Sequence, residues 1–235
     1  MSKKKRLDDI LLERNLVENK ADALKMILGG DTLVHGQKAI SPSQVFLPDV
    51  DIIIKTPPQY VGRGGEKLAH ALKKFGMSVS GTICLDIGAA TGGFTDVLLQ
   101  NGAKKVYAVD TAKGKLALKL REDPRVIVME KTNISDIQTL PEKIDCISID
   151  VSLVSLRSVM PLTKKFLTPN GFMIALFKPQ YEVSDKSFLR HGILEDDTMR
   201  EKTLNDFLCW LQENKWKLLG QTTSPIKGSE GNTEY

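Results

Sequence analysis

Cysteine and histidine are scarce in this 235-residue chain, with three of each. Cys84, Cys146 and Cys209 are odd in number, far apart and set in apolar surroundings, which argues against a disulfide framework and for core thiols. His35, His70 and His191 are equally scattered, so no metal-binding spacing is present and no metal is expected. Long apolar runs are missing too. Nothing approaches the roughly 18 to 20 residues that span a bilayer, and Met1-Ser2-Lys3-Lys4-Lys5-Arg6 leads into Leu7-Asp8-Asp9, which is no signal-peptide core. The expectation is a cytoplasmic protein with no membrane partner. A content of 41% hydrophobic and 26% charged residues suits a globular chain, long enough for one ordinary domain and a small satellite.

The formal net charge of +4 is unevenly spread. Residues 1–80 hold 13 Lys and Arg against 9 Asp and Glu, while the remainder holds 20 of each sign. A basic module joined to a neutral one suits a nucleic-acid grip on an enzyme, because contacts to phosphates carry no sequence information and need only positive charge. A solvated basic face accounts for charge alone equally well.

The most informative stretch is Asp86-Ile87-Gly88-Ala89-Ala90-Thr91-Gly92-Gly93-Phe94. It follows the apolar run Thr82 to Leu85 and precedes Thr95-Asp96-Val97-Leu98-Leu99, whose spacing is helical, so it reads as strand, glycine turn and helix start. Glycines let a backbone pass close to a ligand. The spacing is Gly-x-x-x-Gly-Gly rather than the dinucleotide Gly-x-Gly-x-x-Gly, and an acid at Asp86 would repel phosphates. A cationic nucleoside cofactor, S-adenosylmethionine, fits better. Asp110, about twenty residues on at the end of the next apolar run, stands where an acid accepts hydrogen bonds from ribose hydroxyls. Asn133, in Thr132-Asn133-Ile134, either meets the adenine edge or belongs to a plain turn.

From there the chain alternates. Strands are expected at 105–110, 125–129, 145–150, 171–178 and 216–222, and helices at 113–122, 155–167 and 197–213. This is an α/β pattern in which a parallel sheet is covered by helices on both faces. Ligands of such sheets bind beyond the carboxyl ends of the strands, so Asp86, Asp110, Asp150 and Lys178 should converge on one crevice.

The first third has a different pattern. Leu7, Ile10 and Leu11, then Ala23, Leu24, Ile27 and Leu28, have helical spacing; Gly29-Gly30 ends the second helix, and strands follow near 32–36 and 51–55. This α+β order, with Arg6-Leu7-Asp8, resembles the small RNA-binding domain first named from ribosomal protein S-four. Asn19-Lys20 stands where that domain has Ser-Arg, keeping one cation without the guanidinium fork. The reading gives a domain at 1–55, a linker at 56–66 and a second domain at 67–235. Gly64-Gly65 would be a flexible lead-in to a helix with Lys67 in its first turn.

Tyr60 to Leu68, Asp86 to Phe94, Asp150-Val151-Ser152, Lys178-Pro179-Gln180-Tyr181-Glu182 and Gly231-Asn232-Thr233-Glu234-Tyr235 together resemble the hemolysin-A-like (TlyA) family over the whole chain. The resemblance implies an RNA-binding domain joined to a Rossmann-like, FtsJ-type methyltransferase domain that uses S-adenosylmethionine to methylate cytidine 2′-hydroxyls of ribosomal RNA, with ribosomal RNA or ribosomal subunits as partners. It carries the FtsJ-type Lys-Asp-Lys-Glu set onto Lys67, Asp150, Lys178 and Glu234. A ribose hydroxyl needs a base and in-line alignment, and a lysine serves as base where burial and a neighbouring cation favour its neutral form. Lys178 is assigned as base, with Asp150 and Lys67 positioning. The cofactor set is Asp86, Gly88, Ala90, Gly92, Gly93, Phe94, Asp110, Asn133 and Asp150, and the RNA contacts are Arg6, Lys20, Lys25 and Arg63. The family continues past this point with a further apolar strand, so the last strand is expected to be missing and Glu234 to lie on an untethered end, with Glu182 as a spare carboxylate for substrate. A noncatalytic RNA-binding or ribosome-assembly factor is the other reading; membrane lysis has little support without a long amphipathic segment.

Overall fold

The computed structural model describes residues 3–55 and 58–235, and the chain divides into two compact units, 1–59 and 60–235. Thr56 and Pro57, expected at the start of the linker, lie outside the described residues.

In the first unit, β1 (Lys5–Arg6) leads into α1 (Leu7–Glu13), followed by α2 (Lys20–Gly29), β2 (Thr32–Val34), β3 (Gln37–Lys38), β4 (Val45–Phe46) and β5 (Ile52–Ile54). The Asn19 side chain caps α2 by accepting the Asp22 N–H at 2.9 Å, and Gly30 closes the helix at φ 77°. Strands β3, β2 and β5 form an antiparallel sheet, and β1 pairs with β4. Leu7, Ile10, Leu11, Ala23 and Ile27 pack with Val34 and Val50 into a small core. Leu24 and Leu28 do not join it. Both are exposed, because the buried stripe of α2 narrows to Ala23 and Ile27.

The second unit opens with α3 (Gly64–Phe75) and then alternates: β6 (Ile83–Ile87), α4 (Gly93–Gln100), β7 (Lys105–Asp110), α5 (Leu118–Arg121), β8 (Val126–Glu130), β9 (Ile144–Ile149), α6 (Leu156–Thr163), β10 (Leu167–Ala175), α7 (Pro179–Glu182), the short pair β11 (Leu189–Arg190) and β12 (Ile193–Leu194), and α8 (Asp197–Glu213). Five strands form a sheet in the order β10-β9-β6-β7-β8, every neighbouring pair parallel. Successive side chains on a strand face opposite ways, so β6 feeds two cores. Cys84 packs with Leu68 and Leu72 of α3 and Val97 and Leu98 of α4. Leu85 and Ile87 pack with Leu156 and Met160 of α6 and Phe207 of α8. The result is a three-layer α/β fold with a parallel sheet between two layers of helices.

Four expected elements differ. The helix expected at 113–122 shrinks to Leu118–Arg121, because the chain at Gly114 and Lys115 turns to donate its N–H groups to the Glu130 carboxylate. The 155–167 helix ends at Thr163 and tightens into a 3₁₀ turn, and β10 starts at Leu167 rather than at 171. Residues 216–222 form no strand: the segment pairs with none of the described strands and, with β10, borders an apolar groove of about 480 Å³ lined by Met173, Ala175, Phe177 and Leu219. Cys84 and Cys146 are buried on paired strands as expected, whereas Cys209 lies exposed on α8. No helix among the described residues is long and apolar enough to cross a membrane.

Candidate active site

The strand ends set the site. β6 runs into the glycine turn, β7 ends in Asp110, Asp150 follows β9 and Lys178 follows β10, so the topology gathers these residues along one edge of the sheet. The Asp150 N–H donates to the Ile87 carbonyl and the Gly88 N–H to the Val109 carbonyl, both at 2.9 Å, which binds the three strand ends together.

Within the turn, Gly88 has φ 83°, and a Cβ there would run into the Asp150 carbonyl, so this position needs glycine on both counts. Ala90 is exposed at φ 48°, held because its N–H donates to Asp110 Oδ2 at 2.8 Å. The Ala112 N–H donates to the other oxygen, Oδ1, at 2.7 Å. Each carboxylate oxygen has a second lone pair, so Asp110 retains acceptor capacity for a ribose diol. Gly92 caps α4 at φ 99°, and Gly93 and Phe94 are buried in its first turn. Asn133 is exposed and uses its side-chain oxygen to accept the Ser135 N–H at 3.1 Å, the capping role of a turn residue. An acid at a strand end beside a glycine turn fits the ribose hydroxyls of a nucleoside cofactor.

Asp86 is placed differently from its expectation. It is fully buried beneath the turn, where Thr95 and Ser148 donate their hydroxyls to it at 2.6 and 2.8 Å. Its carboxylate braces the turn against α4 and β9. Burial pushes this acid up from 3.8 to about 6 against the pull of the two hydroxyls. A raised folded-state value means that its contribution to stability is fully present below about pH 4 and is lost as pH rises through about 6, a swing of about 3 kcal/mol. Asp86→Asn should therefore unfold at higher urea than the parent at pH 7, and the advantage should disappear near pH 4. Parallel stability curves for parent and variant across that range would refute this account.

The four residues of the expected catalytic set form two ion pairs. Lys178 Nζ lies 2.6 Å from Asp150 Oδ1, and Lys67 Nζ lies 2.5 Å from Glu234 Oε2. Both lysine side chains are about 10% exposed, and Glu234 is 3% exposed. Glu234 is thus not untethered. Phe177 and Tyr235 exchange two backbone hydrogen bonds, at 2.7 and 2.9 Å, which sets the adjoining residues Lys178 and Glu234 beside each other. Asn232, buried, ties the same segment down by accepting the Leu194 N–H and donating to the Gly192 carbonyl. Gly64 approaches Asp150 closely enough that a Cβ would stand 3.5 Å from Oδ2, which places the start of α3, and Lys67 one turn later, at the same crevice. Gly65 is no flexible lead-in. It lies inside α3, packed so closely that a Cβ would stand 2.5 Å from the Tyr60 ring.

Other expected residues serve elsewhere. Glu182, the supposed spare carboxylate, is buried and accepts the Ser155 hydroxyl at 2.6 Å and the Leu156 N–H at 2.5 Å, so it caps α6. Arg6 pairs with Asp8 at 2.7 Å and Lys20 with Asp9 at 2.9 Å, while Lys25 is exposed. Arg63 is exposed and donates to the Lys227 carbonyl at 3.3 Å. Two contributors went unnoticed in the sequence: Asp96, whose buried carboxylate accepts the Val61 N–H and pairs with Lys119, and Ser152, which accepts from Lys178 Nζ at 3.1 Å.

A parallel sheet with a glycine turn, a strand-end acid and paired lysines and carboxylates at its carboxyl edge defines a nucleoside-cofactor methyltransferase. A family model described as FtsJ-like methyltransferase matches residues 60–235, and the chain belongs to that family, whose methyl donor is S-adenosylmethionine. Over 233 residues it is 40% identical to hemolysin A of Brachyspira hyodysenteriae, covering 98% of this chain and 97% of the relative. It is 34% identical to the 16S/23S rRNA (cytidine-2′-O)-methyltransferase TlyA of Mycobacterium tuberculosis, covering 100% of this chain and 89% of the relative. Among solved structures, a hemolysin candidate from Streptococcus thermophilus superposes with a TM-score of 0.73 at 35% identity, over 100% of this chain and 87% of its own.

Proposed function

We propose that this protein transfers the methyl group of S-adenosylmethionine to ribose 2′-hydroxyls of cytidines in ribosomal RNA, in the cytoplasm. The observation that carries this reading is the pairing of two largely buried lysines with carboxylates beside the glycine turn. When bound, the cofactor supplies an electrophilic methyl on a sulfonium. Lys178 in its neutral form would take the proton of a 2′-hydroxyl aligned on that methyl. Asp150 holds Lys178 in place and stabilises the ammonium that results. Lys67, aligned by Glu234, steadies negative charge on the ribose oxygen as its proton leaves. Asp110 accepts from the cofactor's ribose, with Gly88, Ala90, Gly92 and Gly93 forming the turn around it. Residues 1–55 act as an RNA-binding module of the ribosomal protein S-four type through Lys25 and, where their acids yield, Arg6 and Lys20; the methyltransferase unit follows at 60–235, where Arg63 adds a contact.

The test is transfer of labelled methyl from S-adenosylmethionine to ribosomal subunits, free ribosomal RNA and protein substrates, with the modified position located by nuclease-resistant dinucleotides. Label on a cytidine 2′-oxygen is expected. RNA binding without transfer would leave a noncatalytic assembly factor, and label on protein would overturn the substrate. Removing residues 1–55 should preserve cofactor affinity but weaken RNA binding about tenfold or more and flatten its salt dependence, whereas an unchanged salt slope would reduce that unit to packing.

A further inference from the structure

The segment after β9, residues 150–156, is fastened at both ends to the segment that carries Lys178. At one end, Lys178 Nζ donates to Asp150 Oδ1 at 2.6 Å and to Ser152 Oγ at 3.1 Å. At the other, Glu182 accepts the Ser155 hydroxyl and the Leu156 N–H, and its carboxylate lies 3.5 Å from Arg157. Between the two anchors Leu153 sits at φ 65° and is 85% exposed. A branched side chain in the left-handed region is strained and persists only where the surroundings impose it. Nothing apolar covers Leu153 in return. What the turn gains is the placement of Ser152, whose hydroxyl comes back to the Lys178 amine.

We propose that Ser152 is a positioning residue for methyl transfer: with Asp150 it occupies two of the three N–H directions on Lys178 and so fixes where the lone pair of the neutral amine points. An ammonium has three donors, and Nζ has no third hydrogen-bond partner among the described residues. After loss of one proton the amine keeps two N–H groups. Asp150 and Ser152 hold both, so the lone pair occupies the remaining corner of the nitrogen and the incoming 2′-hydroxyl meets it there. With Asp150 alone, the amine could rotate about the Cε–Nζ bond and exchange its free N–H with its lone pair, which would then point in either of two directions. Alignment of this kind governs turnover and leaves affinity almost untouched. The other ionisable groups around this amine are Asp150, Tyr181, whose ring centroid is 6.0 Å away, and, across the Phe177–Tyr235 pairing, Glu234 with its partner Lys67. All are retained when Ser152 is changed.

This inference rests on the reading of Lys178 as the base, and the experiment separates the two. kcat, KM for RNA and cofactor, and the pH dependence of kcat are measured for the full chain, for Ser152→Ala and for Ser152→Thr, with Lys178→Ala alongside. Ser152→Ala should lower kcat about tenfold with both KM values within about twofold. Its profile of kcat against pH should also differ from that of the parent, because the amine loses one of its two acceptors. Ser152→Thr keeps the hydroxyl and should return kcat to within about threefold of the parent. Unchanged kcat and pH profile in Ser152→Ala, a loss confined to KM, or equal impairment of the threonine variant would overturn the positioning role while leaving Lys178 as base. Sustained turnover by Lys178→Ala would remove the base itself and this role with it.

Discussion

Lys178→Ala should lose methyl transfer by about a thousandfold while binding S-adenosylmethionine as the parent does. The size follows from what a positioned base contributes, roughly 10² to 10⁴ in rate, together with the loss of the partner of Asp150. Cofactor affinity should survive, because the turn from Gly88 to Gly92 and the Asp110 carboxylate are held by backbone bonds that do not involve Lys178. Lys178→Arg separates base from charge. A guanidinium keeps the positive charge and the pairing with Asp150 but does not release its proton in a protein. Turnover of the arginine variant should therefore fall nearly as far as that of the alanine variant, and raising the pH should not restore it. Near-parental turnover by Lys178→Arg in single-turnover assays would assign the lysine to electrostatic alignment of the ribose and leave the base elsewhere.

The glycine turn and the alternation after it were legible because they are local: an apolar run, a Gly-x-x-x-Gly-Gly turn and a strand-end acid follow one another within about 25 residues. The 197–213 helix coincided with α8 for the same reason, its start marked by the Asp196 cap and its apolar positions regularly spaced. Residues 216–222 were misread because β-propensity becomes a strand only where a neighbour supplies a ladder, and that neighbour is not written in the segment. Asp86 was misread for a related reason. An acid at the end of an apolar run looks the same in sequence whether it faces a ligand or a buried Thr95 and Ser148. Lys67 and Glu234 are 167 residues apart, and only the family pattern linked them; the tether that seats Glu234 is a backbone pairing, invisible to side-chain identity. Glu182 carried one usable sign, the serine at 155 ahead of an apolar helix, which marks a helix start but not the carboxylate that completes it.

Removing either partner of the Lys67–Glu234 pair alone should be the most damaging single change to stability in the second unit. The Glu234 side chain is 3% exposed and that of Lys67 10%, at 2.5 Å from each other, so Lys67→Met leaves a carboxylate in the interior with no cation beside it. Breaking a buried pair in this way costs about 3 to 5 kcal/mol, most of it the desolvation of the group left behind. Glu234→Gln should cost less, because the amide still accepts one hydrogen bond from the ammonium. Lys67→Met combined with Glu234→Leu removes both charges, and apolar replacement of a buried pair is often neutral, so most of the lost stability should return. Activity should not return with it, since neither replacement steadies charge on the ribose oxygen. Urea unfolding and methyl transfer measured on the three variants separate the two roles. A double variant that regained activity along with stability would make the pair a packing element of α3 and the 231–235 segment, and the electrostatic part given to Lys67 would fall to Lys178 and Asp150 alone.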